Sequence, residues 1–144
     1  MSRIEKAVSS FRGDFNCAQS ILSAYCTQYG LDRDTALKLA TGFGGGMGRL
    51  GRTCGAVSGA FMVIGLKYGM GLNDNTEAKE KTYQVIREFS NRFQEIYGSE
   101  ICKELLGCDI NTPEGKDYYD QNEFFEKKCL QYVKNAAYIL EELL

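Results

Sequence analysis

A chain of 144 residues with 44% hydrophobic side chains and a single proline can bury a substantial core and leaves long stretches free to be helical. Its net charge of −2 argues against wrapping nucleic acid, and the absence of any histidine removes the commonest neutral-pH base, the mixed Cys/His zinc site and the usual haem ligand. Neither a Ser/His/Asp arrangement nor a two-histidine metal motif can be assembled, so the six cysteines carry most of the available chemistry.

Charge is unevenly placed: residues 1–98 carry a net +3 and residues 99–144 a net −5, which fits either head-to-tail contacts or a wet surface. The N-terminal MSRIEKAVSSFRGDF lacks the unbroken apolar run of an export signal, and Ala56 to Leu66 is too short to cross a membrane. A cytoplasmic protein is expected, with neither nucleic acid nor membrane as a partner. Structural disulfides are unusual there, so the cysteines call for another role: buried filler, metal ligands or redox thiols.

Helical periodicity recurs along the chain and strand signals are nearly absent. Ile4, Ala7, Val8 and Phe11 form a first apolar stripe. Asp14 is placed to cap a helix from about Phe15 to Tyr29, with Ala18, Ile21, Leu22 and Tyr25 inward and Gly30 as its stop. Asp32 caps a shorter helix from Arg33 to about Thr41, with Ala36, Leu37 and Ala40 inward. After a glycine-rich segment, Thr53 is placed to cap an apolar helix from Cys54 to Tyr68, the best candidate for the centre of the fold. Its Gly55, Gly59 and Ala60 would admit another helix or backbone closely.

Asn75 or Thr76 starts the longest helix, which reaches about Tyr97 with Val85, Ile86, Phe89, Phe93 and Ile96 inward. Ser99 reads as the cap of a short helical turn holding Ile101, Leu105 and Leu106, closed by Gly107. Residues 108–116 read as a loop around Pro113. A last helix from about Asp120 to Leu143 buries Phe124, Phe125, Leu130, Val133, Ala137 and Leu140. The expectation is one domain over 1–144: an all-α irregular bundle of about five to seven helices, with a glycine-rich loop before a central apolar helix.

That loop, GFGGGMGRLGRTCGAVSG, holds eight glycines in residues 42–59. It contains G-x-G-x-x-G only by counting, since no strand precedes it, and no Gly-Lys-Ser/Thr triplet closes a Walker loop. Two readings stay open. Gly44, Gly45, Gly46, Gly48, Gly51 and Gly55 with Arg49 form a generic anion or cofactor cradle of exposed amides and positive charge, or they form a tight connector between packed helices. Behind the loop, Cys54 falls at a helix start near Arg52. A helix end and a guanidinium favour the thiolate, so the thiol is expected to fall below the free value of about 8.5; an inert buried cysteine is the alternative.

Cys17 and Cys102 also fall near helix starts, Cys108 follows the Gly107 stop, and Cys129 sits beside Lys127 and Lys128. Cys26, half a helical turn out of phase with Cys17, reads as packing. The catalytic candidates are thus Cys54 with Arg52, and Cys17, Cys102, Cys108 or Cys129 as resolving thiol or co-ligand. Cys102 and Cys108 are close enough in sequence for a local pair. No CxxC pair exists, so any site is assembled by folding.

The order of these elements, Cys17 in NCAQ, then the glycine stretch with Cys54-Gly55-Ala56-Val57-Ser58-Gly59, then Cys102, Cys108 and Cys129, resembles the redox-active C_GCAxxG_C_C family over nearly the whole chain. The name-giving string is met with its Gly-Cys order transposed to Cys-Gly. The resemblance implies a small helical protein whose cysteines are the working groups, some relatives being similar to the non-haem part of split-Soret cytochrome c. With neither CxxCH nor histidine, covalent c-type haem does not carry over.

Three functions follow as expectations. The first is thiol/disulfide or electron-transfer chemistry centred on Cys54, with an unidentified redox partner. The second is a metal or iron–sulfur site on Cys17, Cys54, Cys102 and Cys108, with Cys129 as substitute. The third is a non-catalytic helical binding domain, in which Tyr118, Tyr119, Phe124 and Phe125 serve a homodimer surface or, more simply, the core.

Overall fold

In a computed structural model covering residues 1–144, the chain is all-α, with eight right-handed helices. These are α1 (Arg3–Arg12), α2 (Cys17–Tyr25), α3 (Arg33–Ala40), α4 (Gly55–Tyr68), α5 (Thr76–Tyr97), α6 (Cys102–Leu106), α7 (Pro113–Gln121) and α8 (Leu130–Leu143). The count exceeds the expected range by one because Pro113 opens a helix instead of a loop. Its missing N–H costs nothing at the first helical position, and the Thr112 side chain accepts from Gly115 N.

One continuous apolar core joins the helices, with α4 at its centre, as its composition predicts. Ala56, Val57, Ala60, Val63 and Ile64 are all fully buried in the cluster shared with α2, α5 and α8. Two glycines set the distance to α2. A Cβ at Gly59 would lie 3.0 Å from Ala18 O and 3.1 Å from Ile21 Cβ, and one at Gly55 would lie 3.0 Å from Cys17 Cβ. Each buried aromatic of α5, such as Phe89 or Phe93, contributes on the order of 1.5–3 kcal/mol. No helix is long and apolar enough to cross a membrane.

Several boundaries move, each for a local reason. The cap of α2 is Asn16, not Asp14; its side chain accepts from Gln19 N while Gln19 reaches back to Asn16 N. The helix stops at Tyr25 and tightens into a 3₁₀ turn, Cys26–Tyr29, before the left-handed Gly30. Cys54 rather than Thr53 occupies the cap of α4, since Thr53 is engaged in an isolated antiparallel bridge with Ile101. Ser99 stands two residues too early to cap α6; its hydroxyl accepts from Ile101 N instead. The last helix is broken by a π turn, Phe125–Cys129, preceded by Glu123 at φ 56°. Ile96 is 54% exposed and Phe125 36%, so neither belongs to the core.

The glycine segment has the least regular backbone of the molecule. Five consecutive residues, Gly45, Gly46, Met47, Gly48 and Arg49, have φ between 60° and 68°, forming a left-handed turn. Three of the five are glycines, which enter this region freely. Met47 and Arg49 each cost on the order of 1–2 kcal/mol there. The turn is closed by long-range backbone bonds, Gly51 N to Gly45 O at 3.3 Å and Arg52 N to Gly46 O at 2.9 Å.

A four-cysteine cavity as candidate functional site

Four of the six cysteines line one cavity of about 530 Å³, open on one side. They come from four different elements. Cys17 is the first residue of α2, Cys54 caps α4, Cys102 is the first residue of α6, and Cys129 ends the π turn that leads into α8. Gly44, Gly45, Gly46, Gly48 and Gly55 with Arg49 complete the wall, alongside Tyr119 and Tyr132. The glycine segment and the cysteines thus form one site.

Backbone geometry sets the position of two sulfurs. Cys54 N donates to Glu100 O at 2.8 Å and Cys102 N to Arg52 O at 2.6 Å, on either side of the Thr53–Ile101 bridge. This clasp brings the starts of α4 and α6 side by side. Gly46 fits underneath: a Cβ there would lie 2.6 Å from Cys102 Cβ and 2.7 Å from Arg52 N. The other two sulfurs are brought in by packing. Cys17 follows from the close approach of α2 to Gly55, and Cys129 from the π turn, whose extra residue shifts the side chains that follow it around the axis.

The electrostatics reverse one expectation. Cys54 is 5% exposed, and burial pushes its thiol up to about 12. The Ala56 and Val57 amides at the helix start do favour the thiolate, as the sequence suggests, but desolvation outweighs them. Arg52 does not help: it is exposed and does not line the cavity. Cys102 is also pushed up to about 12, first by burial and then by the fields of Cys129 and Cys108.

Cys129 goes the other way. The neighbouring Cys17 thiol lowers Cys129 and is itself raised by it. Burial opposes the lowering, while the Tyr119 hydroxyl, which donates to Cys129 Sγ at 3.4 Å, and the Lys128 ammonium add to it. Lys128 is itself held by a bond to Leu105 O at 3.2 Å and by the face of Phe124 at 4.2 Å. Among the cavity thiols, Cys129 has the environment of a thiolate.

Other candidates fall outside. Cys108 does not line the cavity, whereas Cys17, Cys54, Cys102 and Cys129 do. All six thiols are free, Cys102 and Cys108 included. Cys26 is fully buried packing. Gly51 meets the Lys103 side chain rather than the cavity. The aromatic quartet divides: Phe124 is core, Tyr119 and the partly exposed Phe125 line the site, and Tyr118 remains exposed. The sequence offers Tyr119 only as an aromatic of the core or a dimer surface; its place beside Cys129 comes from the fold. No three Cys, Asp or Glu side chains converge closely enough to hold a single metal ion.

An all-α domain whose helix ends gather four thiols around one cavity is a cysteine-centred protein. The family model described as "Putative redox-active protein (C_GCAxxG_C_C)" matches residues 15–143, and the chain belongs to that family. No curated protein and no solved structure matches it.

Proposed function

We propose that the cavity is a thiol–disulfide redox centre in which Cys129 is the attacking sulfur and Cys17 the resolving one. The observation that carries this reading is that Cys17 and Cys129 line the same open cavity, with Tyr119 donating to the Cys129 sulfur. The Cys129 thiolate attacks one sulfur of a substrate disulfide, forming a mixed disulfide and releasing the first substrate thiolate. Cys17, on losing its proton to that thiolate, attacks Cys129 Sγ. A Cys17–Cys129 disulfide forms and the second substrate thiolate leaves. Two electrons pass from the protein dithiol to the substrate, and the reverse sequence oxidises a dithiol partner. Chemistry centred on Cys54 is the weaker form, because burial holds that thiol protonated. A reducing cytoplasm suits a resting state with six free thiols.

The test is anaerobic purification, exposure to one equivalent of a small disulfide, and mapping of the linked peptides by mass spectrometry. A Cys17–Cys129 crosslink is expected, with Cys17→Ser trapping the mixed disulfide on Cys129. Crosslinks confined to other pairs, or reaction undiminished in Cys129→Ser, would overturn the proposal.

One observation favours a second reading. Cys17, Cys54, Cys102 and Cys129 line one cavity, and their mutual fields oppose ionisation of Cys17, Cys54 and Cys102. A metal group would supply positive charge among these sulfurs. Since no three ligands suit a single ion, it would be a multi-atom iron–sulfur cluster held by these four thiolates. Iron and acid-labile sulfide retained through anaerobic purification, and lost in Cys54→Ser, would support it; a metal-free protein after reconstitution with ferrous iron and sulfide would remove it.

A further inference from the structure

We infer that the substrate of the cysteine cavity is a small organic disulfide carrying a carboxylate, whose anionic group is received by Arg49 on the glycine turn; this rests on the thiol–disulfide reading above. The first argument is access. The reacting cysteines Cys129 and Cys17 are half-buried and Cys54 and Cys102 are buried, and all four line a recess of about 530 Å³ instead of a convex surface. That volume falls within the range of small-molecule sites. On the wall, Phe11 and Phe125 stack with ring centroids 4.5 Å apart. A disulfide embedded in a folded protein cannot follow the sulfurs into such a recess, whereas a low-molecular-weight disulfide can.

The second argument is charge. Three charged side chains line the cavity: Arg49, Lys116 and Asp14. Lys116 is paired with Asp120 at 2.7 Å, and Asp120 lies off the cavity. Neither Arg49 nor Asp14 makes an ion pair, and of the two only the Arg49 guanidinium can take a carboxylate in a bidentate bond. Its position is built, not incidental. Arg49 is held at φ 68°, in the last residue of the left-handed turn, and its Cγ lies where a Cβ on Gly45 would come within 2.8 Å. Gly45 therefore leaves room for the arginine stem along the cavity wall. A backbone that accepts the strain of a non-glycine residue here places a cation on the wall of the recess that the four cysteines also line.

The experiment compares three probes of one chemistry and different charge: dithiodiglycolate with two carboxylates, neutral hydroxyethyl disulfide, and cationic cystamine. Each rate of mixed-disulfide formation, followed by intact mass, is divided by the rate of the same probe with free cysteine at the same pH. Dithiodiglycolate is expected to be favoured over hydroxyethyl disulfide on the order of three- to tenfold, with cystamine slowest. The preference should shrink with added salt. In Arg49→Gln the dithiodiglycolate rate should fall furthest, bringing the ratio back toward that of free cysteine, with a thermal melt verifying that the variant is folded; Lys116→Gln should have a smaller effect. If all three probes modify Cys129 without the anion preference, or with a preference Arg49→Gln leaves intact, the substrate assignment is overturned while the redox reading stands. If none reacts, or Cys129→Ser reacts equally, both fall.

Discussion

Replacing Gly59 by alanine tests whether the site depends on how closely α2 approaches α4. The added methyl would sit 3.0 Å from Ala18 O, 3.1 Å from Ala18 Cα and 3.1 Å from Ile21 Cβ. Two of these atoms are backbone, so no rotamer change relieves the contact. Alanine raises helix propensity by about 1 kcal/mol, and overpacking of this kind costs about 1–3 kcal/mol. Gly65 supplies the internal control. It lies on the same helix with nothing within 4 Å of its would-be Cβ, so Gly65→Ala should gain most of the propensity term alone. The two variants should therefore differ by roughly 1–3 kcal/mol, with Gly59→Ala the less stable. At about 3 °C per kcal/mol for a chain of this size, thermal denaturation followed by circular dichroism should separate them by roughly 3–9 °C. If Gly59→Ala melts at or above Gly65→Ala, the tight interface that brings Cys17 to the cavity is wrong.

Three other outcomes follow from the site. Gly46→Ala, which forces a left-handed backbone on alanine and drives its methyl into Cys102 Cβ and Arg52 N, should cost about 2–4 kcal/mol in urea unfolding; Met47→Gly, relieving strain at φ 68°, should lie within about 1 kcal/mol of wild type. Tyr119→Phe removes a donor worth about 1 kcal/mol to the Cys129 thiolate and should slow its alkylation at neutral pH roughly fivefold, an effect absent if Cys129 is not the reactive thiol. Cys54 has its folded value raised, so its neutral thiol adds stability that is complete below about pH 8.5 and is lost as pH climbs toward its folded value of about 12. Under reducing conditions, wild type should lose more stability than Cys54→Ala on going from neutral pH into this range, and parallel pH profiles would refute the assignment.

The elements legible in the sequence were those governed by near neighbours. Asp32 and Asn75 cap the helices expected of them, Gly30 and Gly107 end theirs in the left-handed region, and the apolar composition of α4 marks it as the centre. Family membership and an all-α fold were also readable, from cysteine and glycine order and from helical periodicity. Features set by contacts distant in sequence were not. Nothing local announces that Thr53 bridges Ile101, which hands the cap of α4 to Cys54. The expected acidity of Cys54 failed because burial, a property of the whole fold, outweighs the helix amides beside it. The sequence offers Cys129 only as one of several partner thiols, beside Lys127 and Lys128, and the π turn and Tyr119 set its environment apart.

The Thr53–Ile101 clasp divides the four sulfurs into two mechanical kinds. Cys54 and Cys102 are anchored through main-chain bonds of 2.8 and 2.6 Å made by their own amides, so their separation is a property of covalent geometry and hydrogen bonding. Cys17 is held by the close approach of α2 to Gly55 and Gly59, and Cys129 is carried on one irregular turn. Three anchored sulfurs thus face one on an irregular turn. Whatever lengthens or shortens the distances between sulfurs, whether a bond to Cys129 or a guest spreading all four, is accommodated at the π turn. The protein's response to a change of oxidation state should accordingly be read in the amide exchange of residues 125–130, with residues 51–54 and 100–103 as the fixed reference.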